Sequence, residues 1–159
     1  MRTLILSIIN GFFTKEDNDP ERIKANSIFL KFTDPNTKRT LIIEEDKFNV
    51  WVYSLSADKS EIDFEGFLCT VVSPVKSNKV NGNISKKEEP LPLMYTNKYS
   101  WIKNLKKEHI QVDWKNNIIE VLIRGQVYLI MDTNRKTSYS KALSTDCSYG
   151  KKLTKDLKF

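Results

Sequence analysis

Residues 47–75 read KFNVWVYSLSADKSEIDFEGFLCTVVSPV, and the fold turns on this stretch. Its first part, 49–55, joins β-branched Val50 and Val52 to Trp51 and Tyr53, residues that suit a pleated, half-buried surface. A polar interval, Ser56-Ala57-Asp58-Lys59-Ser60, then gives way to a second extended run over 62–72. Gly66 interrupts that run and marks a bulge or bend. Glu61, Asp63 and Glu65 stand at every other position. In a strand such residues share one face, about 6.6 to 6.8 Å apart, and would form an acidic row.

Upstream, Ile28, Leu30 and Phe32 alternate with their neighbours up to Asp34-Pro35-Asn36-Thr37, where Asp first and Pro second suit a type I turn. Residues 27–33 and 39–44 therefore predict an antiparallel hairpin, with 49–55 and 62–72 as third and fourth strands. From 76 to 92 the chain turns to Lys, Asn, Ser, Glu and Pro, the composition of a long solvated loop or a partner-binding one. Tyr95, Tyr99, Trp101 and Ile102 follow with neither period. Alternation resumes at Ile110, Val112 and Trp114, and Asn116-Asn117 and Arg124-Gly125 punctuate two further runs, 118–123 and 126–131, as a three-stranded meander. Residues 134–159 are polar and basic, with too weak a period to assign.

At the N-terminus Leu4, Ile8 and Phe12 lie four apart, as do Ile5, Ile9 and Phe13, so a helix would gather all six on one stripe. Such a helix would pack on a sheet or lie on a membrane surface. Residues 15–25 read as a charged loop or short helix with Pro20 in its first turn. The resulting expectation is a single α+β domain over residues 1–159. It has a mainly antiparallel sheet of about seven strands, the N-terminal amphipathic helix and at most one further helix.

The chain of 159 residues is 40% hydrophobic, enough for one core and too little for two domains. Its net charge of +6 is unevenly spread. Residues 1–75 carry 9 basic against 12 acidic residues, and residues 76–159 carry 17 against 8. Of the 26 basic residues 21 are Lys, unlike a dedicated phosphate reader, which favours the guanidinium fork. The early apolar run lacks a small-residue cleavage site and is shorter than the ~20 residues that span a bilayer. A cytoplasmic protein without a transmembrane segment is expected.

Little else carries chemistry. His109 is the only histidine, and with two separated cysteines, Cys69 and Cys147, it cannot fill a thiolate–imidazole zinc site. The five glycines form no phosphate-binding spacing. The acidic row could hold a divalent ion or assist hydrolysis, could protect a strand edge, or could meet a basic partner, with Glu44, Glu45 and Asp46 extending the same negative surface. Trp51 and Tyr53 read either as core or as interface anchors.

The segments RTLIIEED (39–46) and FNVWVYSLSADKSEIDFEGFLCTVVSPV (48–75) resemble the central strands of small bacterial immunity proteins. These are the antidotes encoded beside polymorphic toxins of contact-dependent, Rhs or type VI secretion systems. The resemblance spans residues 27–75, with an echo in TSYSKA at 137–142. It implies a non-enzymatic, cofactor-free and metal-free protein that binds a cognate toxin domain and blocks its active site or substrate access. Glu44, Glu45, Asp46, Trp51, Tyr53, Glu61, Asp63 and Glu65 are the candidate contacts. Many antidotes to nucleases are acidic, whereas this chain is basic, which leaves the toxin's activity open. The competing expectations are a nucleic-acid-associated module using Lys151, Lys152 and Lys155 in the basic half, and a hydrolase built on the carboxylates.

Overall fold

The computed structural model describes residues 27–74 and 89–159. The expected N-terminal helix, the charged segment after it and most of the 76–92 loop lie outside the described residues. Within them the chain forms nine strands in two sheets. The first is a meander, β1 (Phe29–Thr33), β2 (Thr40–Glu45), β3 (Asn49–Leu55) and β4 (Ile62–Thr70). The second orders β5 (Ile110–Lys115), β6 (Ile118–Ile123), β7 (Gln126–Asp132), β8 (Thr137–Ser140) and β9 (Lys151–Lys152), antiparallel except for the β8–β9 pair.

This corrects the α+β expectation of one sheet of about seven strands. Among the described residues there is no α-helix, only 3-10 turns at Leu93–Tyr95 and Lys107–His109. The polar and irregular stretch between β4 and β5 separates two meanders, which pack through their apolar faces instead of joining edge to edge. Their shared core takes Leu41, Ile43, Val50, Val52, Leu68 and Cys69 from one sheet and Ile119, Val121, Ile123, Leu129 and Met131 from the other. Strand alternation fixes which side chains share a face, not which sheet a strand joins.

Local chemistry sets the turns, although the one at Asp34 closes over five residues, with the Lys38 N–H donating to Asp34 O at 2.9 Å and Lys38 at φ 62°. The buried Asp34 carboxylate accepts from the Asn36 N–H (3.0 Å) and the Thr37 hydroxyl (2.7 Å), and these bonds, Thr37 first, hold its pKa below the ordinary carboxylate value. Arg124 and Gly125 have φ of 51° and 80°, the left-handed pair of a type I′ hairpin between β6 and β7. Asn116 has φ of 54° in the β5–β6 turn.

Gly66 has a different role from a bulge. It pairs in register with Val52, and the bulges lie on either side of it, at Asp63 and Leu68, where the β3–β4 register shifts. A Cβ at Gly66 would lie 2.8 Å from Leu129 Cδ2 and 3.1 Å from Ser138 Cβ, so the β4 backbone passes close to the second sheet there.

The first sheet is covered on both faces, and β3 is buried throughout. Ile42, Trp51, Tyr53, Leu55 and Phe67 form a second core with Leu91, Ala142, Leu143 and Tyr149. Tyr149 stacks on Trp51 at 5.6 Å between centroids and meets Phe67 edge-on at 5.4 Å. The chain between β8 and β9 thus serves as a lid of loop over the outer face of the first sheet. None of the helices among the described residues is long and apolar enough to cross a membrane.

Candidate functional site

The eight residues singled out from the sequence do not form one surface. Trp51 and Tyr53, each 1% exposed, are core side chains of the outer face. Burial pushes the Tyr53 hydroxyl pKa well up, with the negative charges of Glu44, Glu65 and Asp46 adding to it. Glu44 and Glu65 stand in register beside Trp51 and Tyr53 respectively. Glu45 and Asp46 serve the backbone. Glu45 Oε2 accepts the Ile28 N–H at 3.0 Å, and Asp46 Oδ1 accepts the Phe48 and Asn49 N–H groups at 2.8 Å each.

The acidic row is broken by the bulge. Glu61 is exposed and precedes β4. Asp63, the extra residue opposite the Ser54–Leu55 step, receives Lys136 Nζ at 2.8 Å and Arg39 Nη1 at 3.7 Å. Lys136 lies in the β7–β8 turn of the other sheet, so Asp63 ties the sheets together through charge. Among the described residues no group of three His, Cys, Asp or Glu side chains is placed to hold a metal ion. Cys69 is buried, which raises its thiol pKa and keeps it protonated at neutral pH. His109 Nδ1 accepts the Lys106 N–H at 3.0 Å, a structural bond within the 3-10 turn before β5.

A different surface draws attention, on the segment leading into β5. Its backbone is held in place without regular structure. Thr70 N–H donates to Ser100 O at 2.7 Å and Ile102 N–H donates to Thr70 O at 3.0 Å. The Ser100 hydroxyl donates to Ala142 O at 2.6 Å, and the Asn97 amide to Lys141 O at 3.0 Å. These bonds pin the segment between the Thr70 end of β4 and the residues after β8, with Trp101 bridged to Thr70 and Tyr99 against Tyr128 of the second sheet.

Around the two rings the cations collect. Lys98 Nζ lies 5.1 Å and Lys141 Nζ 4.4 Å from the Tyr99 ring centre, and Lys141 Nζ is also 5.2 Å from Tyr128. Tyr99 and Tyr128 meet edge to face at 6.4 Å. Lys103 Nζ sits 4.5 Å over Trp101, which is 38% exposed, and Arg124 Nη2 donates to Lys103 O at 3.1 Å. Lys141 Nζ donates to Gln126 Oε1 at 3.2 Å. Among the described residues Lys98, Lys103, Arg124 and Lys141 form no ion pair; neutral carbonyls and ring faces hold them. Lys106 and Lys107 follow in the same segment, with Glu108 as its one carboxylate.

Sequence reading missed this surface because its residues come from three places, 98–107, the β6–β7 turn and the end of β8. The available signal was the interleaving of Lys98, Lys103, Lys106 and Lys107 with Tyr99 and Trp101. Compared with known proteins, the chain matches no family model, no curated protein and no solved structure.

Proposed function

We propose that this chain is a non-enzymatic binding protein and, following the resemblance over residues 27–75, an immunity protein that neutralises a bacterial toxin domain by covering it. The observation that carries the binding reading is the partly exposed Trp101 with Lys103 over its ring, next to Tyr99 with Lys98 and Lys141 over its own and to Arg124 on the Lys103 carbonyl, cations that form no ion pair among the described residues. Such a cluster costs self-repulsion when the protein is alone, and a partner of opposite sign relieves it. Large aromatic and Arg side chains are also where interface energy concentrates. Two packed sheets make a rigid base for it.

The test is to look for a toxin domain in the neighbouring gene and to co-express the chain with that gene's product. Rescue of growth together with a stable complex supports the reading, and failure to bind or protect contradicts it. A second reading, a nucleic-acid-associated module, is favoured by the exposed Lys151 and Lys152 on edge strand β9. It predicts affinity for nucleic acid that falls steeply with salt and disappears on neutralising Lys151, Lys152 and Lys155.

A further inference from the structure

We infer that the Trp101 surface takes a carboxylate-rich protein surface, with Trp101 as its apolar centre and the ammonium groups of Lys98, Lys103 and Lys141 as its charged rim. The inference deepens the partner-binding reading above, on which it rests, by naming the partner's chemistry. It also places the contact beside the Thr70 end of β4 and not on Glu61, Asp63 and Glu65.

Three features separate a carboxylate partner from a nucleic acid. A single-stranded nucleic acid needs successive ring faces on which bases stack. Here no such row of open faces exists: Tyr128 is only 8% exposed, Tyr99 is faced by two ammonium groups, and Trp101 is covered by one, Lys103. The charges are mostly Lys, which lacks the planar fork that reads phosphate or guanine in two-point fashion. Its strongly hydrated ammonium on a flexible stem suits carboxylates on an uneven protein surface. The third feature is mobility of charge. Lys98, Lys103 and Lys141 rest on aromatic rings, contacts of about 0.5–1 kcal/mol at exposed sites, so they can be exchanged for carboxylates at small cost. When Lys103 swings to a carboxylate it uncovers the Trp101 face for an apolar contact, so charge and apolar recognition are coupled in one movement.

Fluorescence anisotropy with labelled poly-L-glutamate of about 20 residues, and with an oligothymidylate of about 20 nucleotides, tests this on the full chain. The salt range is about 50 to 200 mM. Poly-L-glutamate should bind the more tightly, and weaken as salt rises. The triple variant Lys98→Glu, Lys103→Glu, Lys141→Glu should lose about tenfold or more in affinity, and Trp101→Ala about threefold. Lys151→Glu with Lys152→Glu should stay within about twofold of the parent. The altered side chains are exposed or half-buried, and an unchanged melting temperature verifies folding. Tighter binding of the oligothymidylate, an equal loss in the tail variant, or no binding of either probe would overturn the inference. Neither probe is a toxin, so failure of neutralisation leaves this result standing, and success of neutralisation does not rescue a negative one.

Discussion

The acidic strand β4 and the cationic segment 98–107 are both charged, but the fold treats their charge in opposite ways. Around β4, Asp63 is spent on Lys136 and Arg39, Glu45 and Asp46 hold backbone N–H groups, and Glu44 and Glu65 flank buried aromatics. Around Trp101 the cations meet rings and carbonyls, with no carboxylate among the described residues to offset them. A cluster of charge in a sequence is therefore a measure of what the fold has to accommodate. What it offers a partner is the part left uncompensated.

The largest effect expected on this contrast comes from Trp51→Ala. If Trp51 belongs to the core, truncation costs about 3–5 kcal/mol in chemical denaturation. If it were a surface anchor, stability would hardly move and binding would suffer instead. Gly66→Ala comes next, at about 1–3 kcal/mol, because the new methyl meets the Leu129 side chain where β4 crosses the second sheet. Equal stability of that variant would mean the sheets are not so closely apposed.

Asp63→Asn sharpens the comparison at smaller scale. Its carboxylate is partly exposed and its Lys136 partner largely so, which limits the ion pair to about 0–1 kcal/mol, less at high salt. A double-mutant cycle with Lys136→Ala should show that coupling. Asp58, in the loop before β4, gives the smallest effect. Side-chain hydrogen bonds from Ser60 and Ser56 hold its pKa at about 2. Because the folded pKa is depressed below the unfolded value near ~3.9, its contribution is complete above that pH and lost as pH falls through about 2. Carboxyl chemical shifts followed by NMR should place the midpoint there, and Asp58→Asn should flatten that part of the acid unfolding curve.

Much of the local structure was legible in the sequence. The two meanders, the Asp34 turn and the Arg124-Gly125 hairpin follow from period-two alternation and turn chemistry, which act over a few residues. The division into two sheets was not, since nothing in alternation says whether meanders join at an edge or stack. A hint lay in Val50-Trp51-Val52-Tyr53, apolar at every position, because a strand buried on both faces has no polar side to show. Thr137–Ser140 could not be assigned as a strand because its period is too weak, with Tyr139 its one large apolar residue, though its pairing to β7 makes it integral to the second sheet. The acidic row read as a face because strict alternation was assumed, and the bulge at Asp63 breaks it. The cationic surface was hidden by its assembly from separate segments.

The central claim is that partner recognition uses the cations near Trp101, which no carboxylate among the described residues pairs, in preference to the acidic strand. Calorimetric titration of the product of the neighbouring gene, the partner the proposal names, tests it most directly, using the parent, the Lys98, Lys103 and Lys141 reversal, and a Glu61→Lys with Glu65→Lys variant. The account predicts a loss of about tenfold or more for the lysine reversal and about threefold or less for the acidic one. The opposite order, or no binding by the parent, would contradict it.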